Sequence, residues 1–196
     1  MTQYIAFLRG VNVGRAKRIA MADLRALMEE LGFSDVRTVL NSGNVIFQSP
    51  HPNDTKVGVG IERAITRGFG FPVPVIVVSA KVLSAIVEEN PLPQAARDPS
   101  RYLVAFVADA ATLARTRPML DEPWSPEAFA LGSNAAYLWC PNGVIASRLM
   151  QAFGRRTGDA ATTRNWATVL RLQAAATAGA STSRQSGGRR STAPLG

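Results

Sequence analysis

The chain of 196 residues has a single cysteine, Cys140, and a single histidine, His51. A single cysteine cannot form an intrachain disulfide. One cysteine and one histidine also supply too few ligands for a dedicated zinc site. A catalytic Cys–His pair is also disfavoured, because His51 lies in a proline-flanked loop and Cys140 lies at the end of an apolar strand. We therefore expect Cys140 to be a small buried side chain, and the sequence predicts neither a metal nor a cofactor.

Long hydrophobic runs are also missing. No stretch of about 18 apolar residues occurs, so the sequence predicts no membrane-spanning helix. The apolar run at residues 4–8 stops at Arg9 and Gly10, and it lacks the charged start and small-residue cleavage site of a signal peptide. These absences predict a cytoplasmic protein without a membrane partner, and they leave its oligomeric state open.

Acidic residues are scarce, since 14 Asp and Glu stand against 22 Lys and Arg, giving a net charge of +8. A basic balance suits a polyanionic partner, either a nucleic acid or a phosphorylated small molecule. The alternative is a general preference for arginine with no functional meaning. Charge alone does not decide between the two interpretations.

The first part of the chain predicts the element order β-α-β-β-α-β. Two segments with helical spacing of apolar residues separate four runs of strand length, at residues 4–8, 36–40, 45–47 and 73–78. This order is typical of ferredoxin-like folds, in which both helices lie on one face of a four-stranded antiparallel sheet. Pro74, near the start of the fourth strand, favours an edge position for that strand or a late entry into the sheet.

The chain divides into four predicted parts. Residues 1–79 form the N-terminal ferredoxin-like lobe, and residues 80–100 form a linker helix and a proline-rich connection. Residues 101–176 form a C-terminal α+β lobe with an antiparallel sheet. Residues 177–196 contain no large apolar residue before Leu195, so we predict a disordered basic tail.

The second lobe repeats the order of the first less clearly. We predict strands at residues 102–107, 128–131 and 135–139, and a short final strand at 158–162. Apolar spacing assigns Ile145 to an amphipathic helix, and Thr163 is predicted to cap the last helix.

Four segments together point to a known family: YIAFLRGVNVG from Tyr4, LNSGNVIF from Leu40, the strand that begins at Tyr102, and TTRNWATVL from Thr162. In their order and spacing they resemble the domain of unknown function (DUF) 1697 family, over residues 3–173. The resemblance implies a two-lobed α+β protein with ferredoxin-like elements. It implies no reaction, because the function of that family is not established.

The loop between the first strand and the first helix is the main candidate for a binding site. Gly10 and Gly14 let its backbone approach a ligand, and four cations surround them: Arg9, Arg15, Lys17 and Arg18. Backbone amides together with a helix start can bind a phosphate group. The spacing matches neither a P-loop nor the dinucleotide fingerprint. The alternative is a plain turn in which Asn12 bonds its own backbone.

A second candidate is the turn at residues 41–44. The predicted strand directions place this turn beside the loop of Arg9, so Ser42 and Asn44 are candidates to share a polar site with Asn12. The alternative is a β-turn with no further role.

The segment around Arg164 gives the third candidate. Arg164 and Asn165 precede the last helix, where they can bind a second anion, and Arg148 is predicted to face them across the second lobe. Family members often carry Lys at the position of Arg148. The alternative is a capped helix with Trp166 in the core.

Three functions therefore remain open, and no catalytic set of residues emerges. The first is binding of a phosphate-bearing ligand or nucleic acid through the basic glycine-containing loop. The second is an enzyme acting on a small phosphorylated or carboxylated metabolite in a cleft between the lobes. The third is a structural or oligomerisation module without a ligand.

Overall fold

The structure, a computed structural model, describes residues 1–14, 17–52, 54–93 and 97–185. Within these ranges the protein is α+β and has two lobes, each containing a four-stranded antiparallel sheet. No helix in the described ranges is both long and apolar enough to cross a membrane. Arg15, one of the loop cations, lies outside the described residues.

The N-terminal lobe has the predicted order of elements. They are β1 (Thr2–Leu8), α1 (Met21–Glu30), β2 (Ser34–Val39), β3 (Asn44–Ser49), α2 (Asp54–Phe69) and β4 (Val75–Ser79). The strands lie in the sheet order β2-β3-β1-β4, so β1 and β2 flank β3 and run parallel to each other. The edge position predicted from Pro74 is confirmed, because β4 begins directly after it and pairs only with β1 among the described strands.

The rest of the chain forms the second sheet and the helices around it. The elements are α3 (Ala80–Glu89), β5 (Tyr102–Val107), α4 (Ala110–Ala114), β6 (Ala128–Leu131), β7 (Ala135–Trp139), α5 (Arg148–Thr157), β8 (Ala161–Asn165) and α6 (Trp166–Gln185). The sheet order is β6-β7-β5-β8. The first three strands of this sheet have the bounds that the sequence predicted.

The end of the second lobe differs from the prediction in three places. Ile145 is 98% exposed and lies before α5, since Ser147 caps that helix by accepting from the Met150 amide. The last strand lies at Ala161–Asn165, later than predicted. Thr163 therefore belongs to a strand and does not cap a helix.

The last helix also continues further than expected. α6 runs to Gln185, whereas we predicted a disordered chain from residue 177 onward. Its continuation has a local cause, because the segment from residue 174 is rich in alanine, the residue with the highest helix propensity. Residues 186–196 of the predicted tail lie outside the described residues.

The largest apolar cluster lies between the two sheets. Phe7 of β1 stacks on Phe106 of β5 with ring centroids 3.9 Å apart, and both side chains are fully buried. Helices α3 and α6 complete this layer through Leu83 and Val169. Because strand side chains alternate between faces, the opposite face of the first sheet packs against α1 and α2. The two lobes thus share this apolar layer, while each lobe also has a cluster of its own.

Candidate functional site

The loop between β1 and α1 is held in an unusual backbone conformation. Four of its described residues have a positive φ: Gly10 (70°), Asn12 (57°), Gly14 (64°) and Lys17 (52°). The Asn12 side chain fixes the loop, since its Nδ2 donates to the Ile19 carbonyl at 2.9 Å and its Oδ1 accepts from the Ile19 amide at 3.0 Å. The Asn12 side chain therefore hydrogen-bonds the backbone of its own loop.

The turn at residues 41–44 lies beside this loop, as the strand directions predicted. Asn12 Nδ2 also donates to the Asn41 carbonyl at 2.9 Å. Asn44 is fully buried, and its Nδ2 donates to the Val39 carbonyl at 3.0 Å and to Ser42 Oγ at 2.9 Å. These bonds hold the turn in place and engage Ser42 Oγ and Asn44 Nδ2 within the protein.

Arg164 of β8 reaches across to the N-terminal lobe and uses all its donors there and on its own strand. Five acceptors surround its guanidinium: Asn44 Oδ1 (2.5 Å), Thr162 Oγ1 (2.9 Å), and the carbonyls of Thr163 (2.8 Å), Leu8 (2.8 Å) and Ser42 (3.3 Å). Its guanidinium carbon also lies 5.4 Å from the centre of the Phe7 ring. All these acceptors are neutral, and desolvation lowers the Arg164 pKa to about 10. Arg164 stays charged at neutral pH and links the two sheets.

Arg9 makes the opposite connection, from the N-terminal lobe to the C-terminal one. Its Nη1 donates to the carbonyl of Gly158 at 2.6 Å and to that of Ala161, and its Nε lies 3.4 Å from Asp159 Oδ1. An enzyme cleft lined by Arg9, Asn12, Ser42, Asn44 and Arg164 is one arrangement that the sequence allowed. The structure instead bonds these side chains to nearby protein atoms. Several of the acceptors are backbone carbonyls at the place where the two sheets meet.

Arg148 and Asn165 have local partners. Arg148 Nη2 donates to the Pro123 carbonyl at 2.6 Å, and its guanidinium lies 5.5 Å from the Trp124 ring centre. Asn165 Oδ1 accepts from the Thr168 amide at 2.9 Å, so Asn165 caps α6 in place of Thr163. The capped-helix alternative therefore describes this segment, with Trp166 buried behind the cap.

Cys140 is fully buried, and burial raises the pKa of its thiol. Its Sγ lies 3.4 Å from Ser147 Oγ, which donates in turn to Glu127. Glu127 Oε2 also accepts from the Leu149 amide at 3.0 Å, so this polar group secures the start of α5. A buried thiol with a raised pKa is a poor nucleophile. In the described part of the chain, no group of three or more His, Cys, Asp or Glu residues could hold a metal ion.

The start of α1 is the part of the loop region that keeps polar groups available. Ala20 occupies the cap position and supplies no side-chain hydrogen bond, and the first intrahelical bond runs from Leu24 to Ala20. The amides of the first turn thus have no capping side chain. Ala20 and Met21 at this end of the helix line an open depression of about 580 Å³. Its lining also includes Asn12, Arg18 and Asn41.

Lys17 and Arg18 differ in whether their side chains have a hydrogen-bond partner. Lys17 Nζ donates to the Pro72 carbonyl at 3.1 Å. Arg18 is exposed at the depression, and among the described residues it has neither an ion pair nor a hydrogen bond. The sequence predicts the backbone amides of a helix start as candidate phosphate ligands, but it indicates Arg18 only as part of the loop charge and does not indicate Asn41. The sequence did contain a signal for an uncapped helix start, because Ala20 occupies the position where Ser, Thr, Asp or Asn would cap the helix.

Comparison with known proteins agrees with this class of fold. The two-lobed α+β architecture is shared with a conserved bacterial protein from Streptococcus pneumoniae, at a TM-score of 0.68 and 21% sequence identity, covering 89% of this chain and 98% of the other. At that identity the likeness concerns the fold alone. Residues 1–137 match the family described as Protein of unknown function (DUF1697), and the chain belongs to this family. The match ends before Arg164, and no curated protein matches the sequence.

Proposed function

We propose that this protein binds a small phosphate-bearing ligand at the start of α1. The observation that carries the proposal is the uncapped first turn of α1, which opens into the depression beside Arg18. Backbone amides at a helix start together with an arginine form a common phosphate site in proteins.

The binding energy comes from hydrogen bonds more than from the helix dipole. Asp23 already places a carboxylate in the first turn, where it complements the dipole. A phosphate oxygen adds charge-assisted bonds to the amides of Met21 and Ala22, each contributing about 1.5–3 kcal/mol before the cost of ordering the ligand. Arg18 lines the same depression and supplies a forked donor.

A small ligand is favoured over a nucleic acid. An extended polyanion needs several cations along a surface, each contacting a phosphate. Two arginines of this region, Arg9 and Arg164, instead donate to backbone carbonyls of the protein itself. A single depression lined by one available arginine, Arg18, fits one phosphate or diphosphate group.

The test is isothermal titration calorimetry with pyrophosphate, ATP and a short single-stranded RNA, at low and high salt. We expect pyrophosphate or ATP to bind, and Arg18→Gln to weaken that binding about tenfold through loss of a charge-assisted bond. Arg63→Gln removes an equal charge from the exposed side of α2 and serves as the matched control. Equal weakening by both variants would indicate a general charge effect and reject the site.

A further inference from the structure

A second surface follows the outer edge of β4. This strand is at the edge of the sheet and pairs with β1 alone among the described strands. A groove of about 380 Å³ follows its outer edge, between the first turns of α2 and the loops that flank β5 and β7. Three carboxylates line the groove, Asp54, Glu62 and Asp109, and its described lining contains no Lys or Arg.

The register of β4 determines which backbone groups face the groove. The Arg9 amide donates to the Pro74 carbonyl at 2.9 Å, so every second residue from Pro74 turns its peptide groups toward β1. Val75 and Val77 therefore turn theirs outward. The Val75 amide confirms this direction, because it donates to Glu62 Oε1 at 2.7 Å.

Val77 is the position of β4 whose outward peptide groups can pair with another strand. Its outward amide and carbonyl have no hydrogen-bond partner within the described ranges, and Val77 lines the groove. Helix α2 approaches the strand closely through Gly58, where an added Cβ would lie 3.3 Å from the Val75 carbonyl oxygen. An edge with unpaired peptide groups in an apolar groove is the arrangement to which an extended segment adds as a further strand.

The charge of the groove selects the kind of segment. The whole chain carries +8, yet this groove presents carboxylates from both of its walls. Asp54 Oδ1 accepts from the Thr55 amide and Glu62 Oε1 accepts from the Val75 amide, so each has a second oxygen that faces no donor among the hydrogen bonds of the described ranges. Asp109 is exposed and caps α4 by accepting from the Thr112 amide, and this bond, with further bonds from the Thr112 side chain and the Ala111 amide, lowers its pKa and keeps it charged. Arg115 is the cation near Asp109, and it donates to Thr112 Oγ1.

We propose that the β4 groove binds an extended, lysine- or arginine-rich peptide segment of a partner protein by strand addition at Val77. The backbone of the segment pairs with the free amide and carbonyl, and its cations lie against the three carboxylates. Valines on both faces of β4 supply the apolar floor for the alternate side chains.

The test uses fluorescence polarisation with the labelled peptide KVKVKV, in buffer free of phosphate. We expect KVKVKV to bind and EVEVEV not to bind. A fully N-methylated KVKVKV keeps every charge but cannot donate from its backbone, and we expect it to bind at least tenfold more weakly. Equal binding of the methylated peptide, or no binding of KVKVKV, overturns the proposal.

Variants of the protein distinguish binding in this groove from a general effect of the protein's charge. The triple variant D54N/E62Q/D109N removes the charges and keeps an acceptor for each recorded bond, so we expect a correct fold and about tenfold weaker binding of KVKVKV. The variant E29Q/E30Q/D35N makes the same change in charge elsewhere, and R18Q alters the proposed phosphate site. We expect both to bind KVKVKV as the wild type does, and weakening by E29Q/E30Q/D35N equal to that of the groove variant rejects the groove.

Discussion

Replacing Arg164 with methionine is expected to lower the free energy of unfolding by about 3 kcal/mol. Methionine can fill the space but donates no hydrogen bond, so five acceptors lose a partner. Three of them belong to the N-terminal lobe, at Leu8, Ser42 and Asn44. Each buried acceptor left without a partner costs about 1–3 kcal/mol. The variant no longer has to desolvate the guanidinium charge, and this gain offsets part of the total loss.

Urea unfolding followed by circular dichroism measures the effect. Arg148→Met is the matched control, because Arg148 also lies over an aromatic ring but is exposed and donates one recorded bond to a carbonyl. We expect this control to cost less than about 1 kcal/mol. A loss below that value for Arg164→Met would mean that water replaces the guanidinium easily, which contradicts its assignment as the link between the sheets.

The second large effect is expected at Gly43, where alanine should destabilise the protein by about 2–4 kcal/mol. Gly43 has φ of 71°, and a Cβ there would lie 2.5 Å from Val11 Cγ2 and 2.8 Å from Leu8 Cβ. The change therefore combines backbone strain with a clash against the buried floor of the loop. Thermal and urea unfolding both measure this loss.

Gly10 separates the two contributions. It has nearly the same φ, 70°, but an added Cβ would meet no atom within 4 Å. Gly10→Ala should therefore show the backbone strain alone, about 1–2 kcal/mol. If Gly10→Ala and Gly43→Ala cost the same, then the close approach between turn and loop contributes nothing and the proposed packing of Gly43 is wrong.

Local sequence signals were sufficient for most of the fold. The N-terminal order of elements follows from apolar spacing and turn residues, and the edge position of β4 follows from Pro74. The errors lie where two signals compete. Thr163 and Asn165 are both good cap residues, and only the pairing of β8 with β5 decides that Thr163 lies in a strand.

The candidate site was less predictable, because the role of a side chain depended on the other lobe. Arg9 and Arg164 have the charge expected of residues that bind an anion. Each instead donates to a carbonyl more than 100 positions away in the chain. No local pattern reveals that partnership. The absence of a capping side chain at Ala20 was visible in the sequence and needed only the position of α1 to become a candidate site.

Ala20→Asp tests the proposed phosphate site most directly, through its melting temperature with and without pyrophosphate. Ala20 already has the extended backbone of a cap residue, so the introduced carboxylate should itself accept from the first-turn amides. We predict a higher melting temperature without ligand, equivalent to about 1 kcal/mol, and loss of the further increase that pyrophosphate gives the wild type. A variant that still gains the full increase with pyrophosphate would contradict binding at the start of α1.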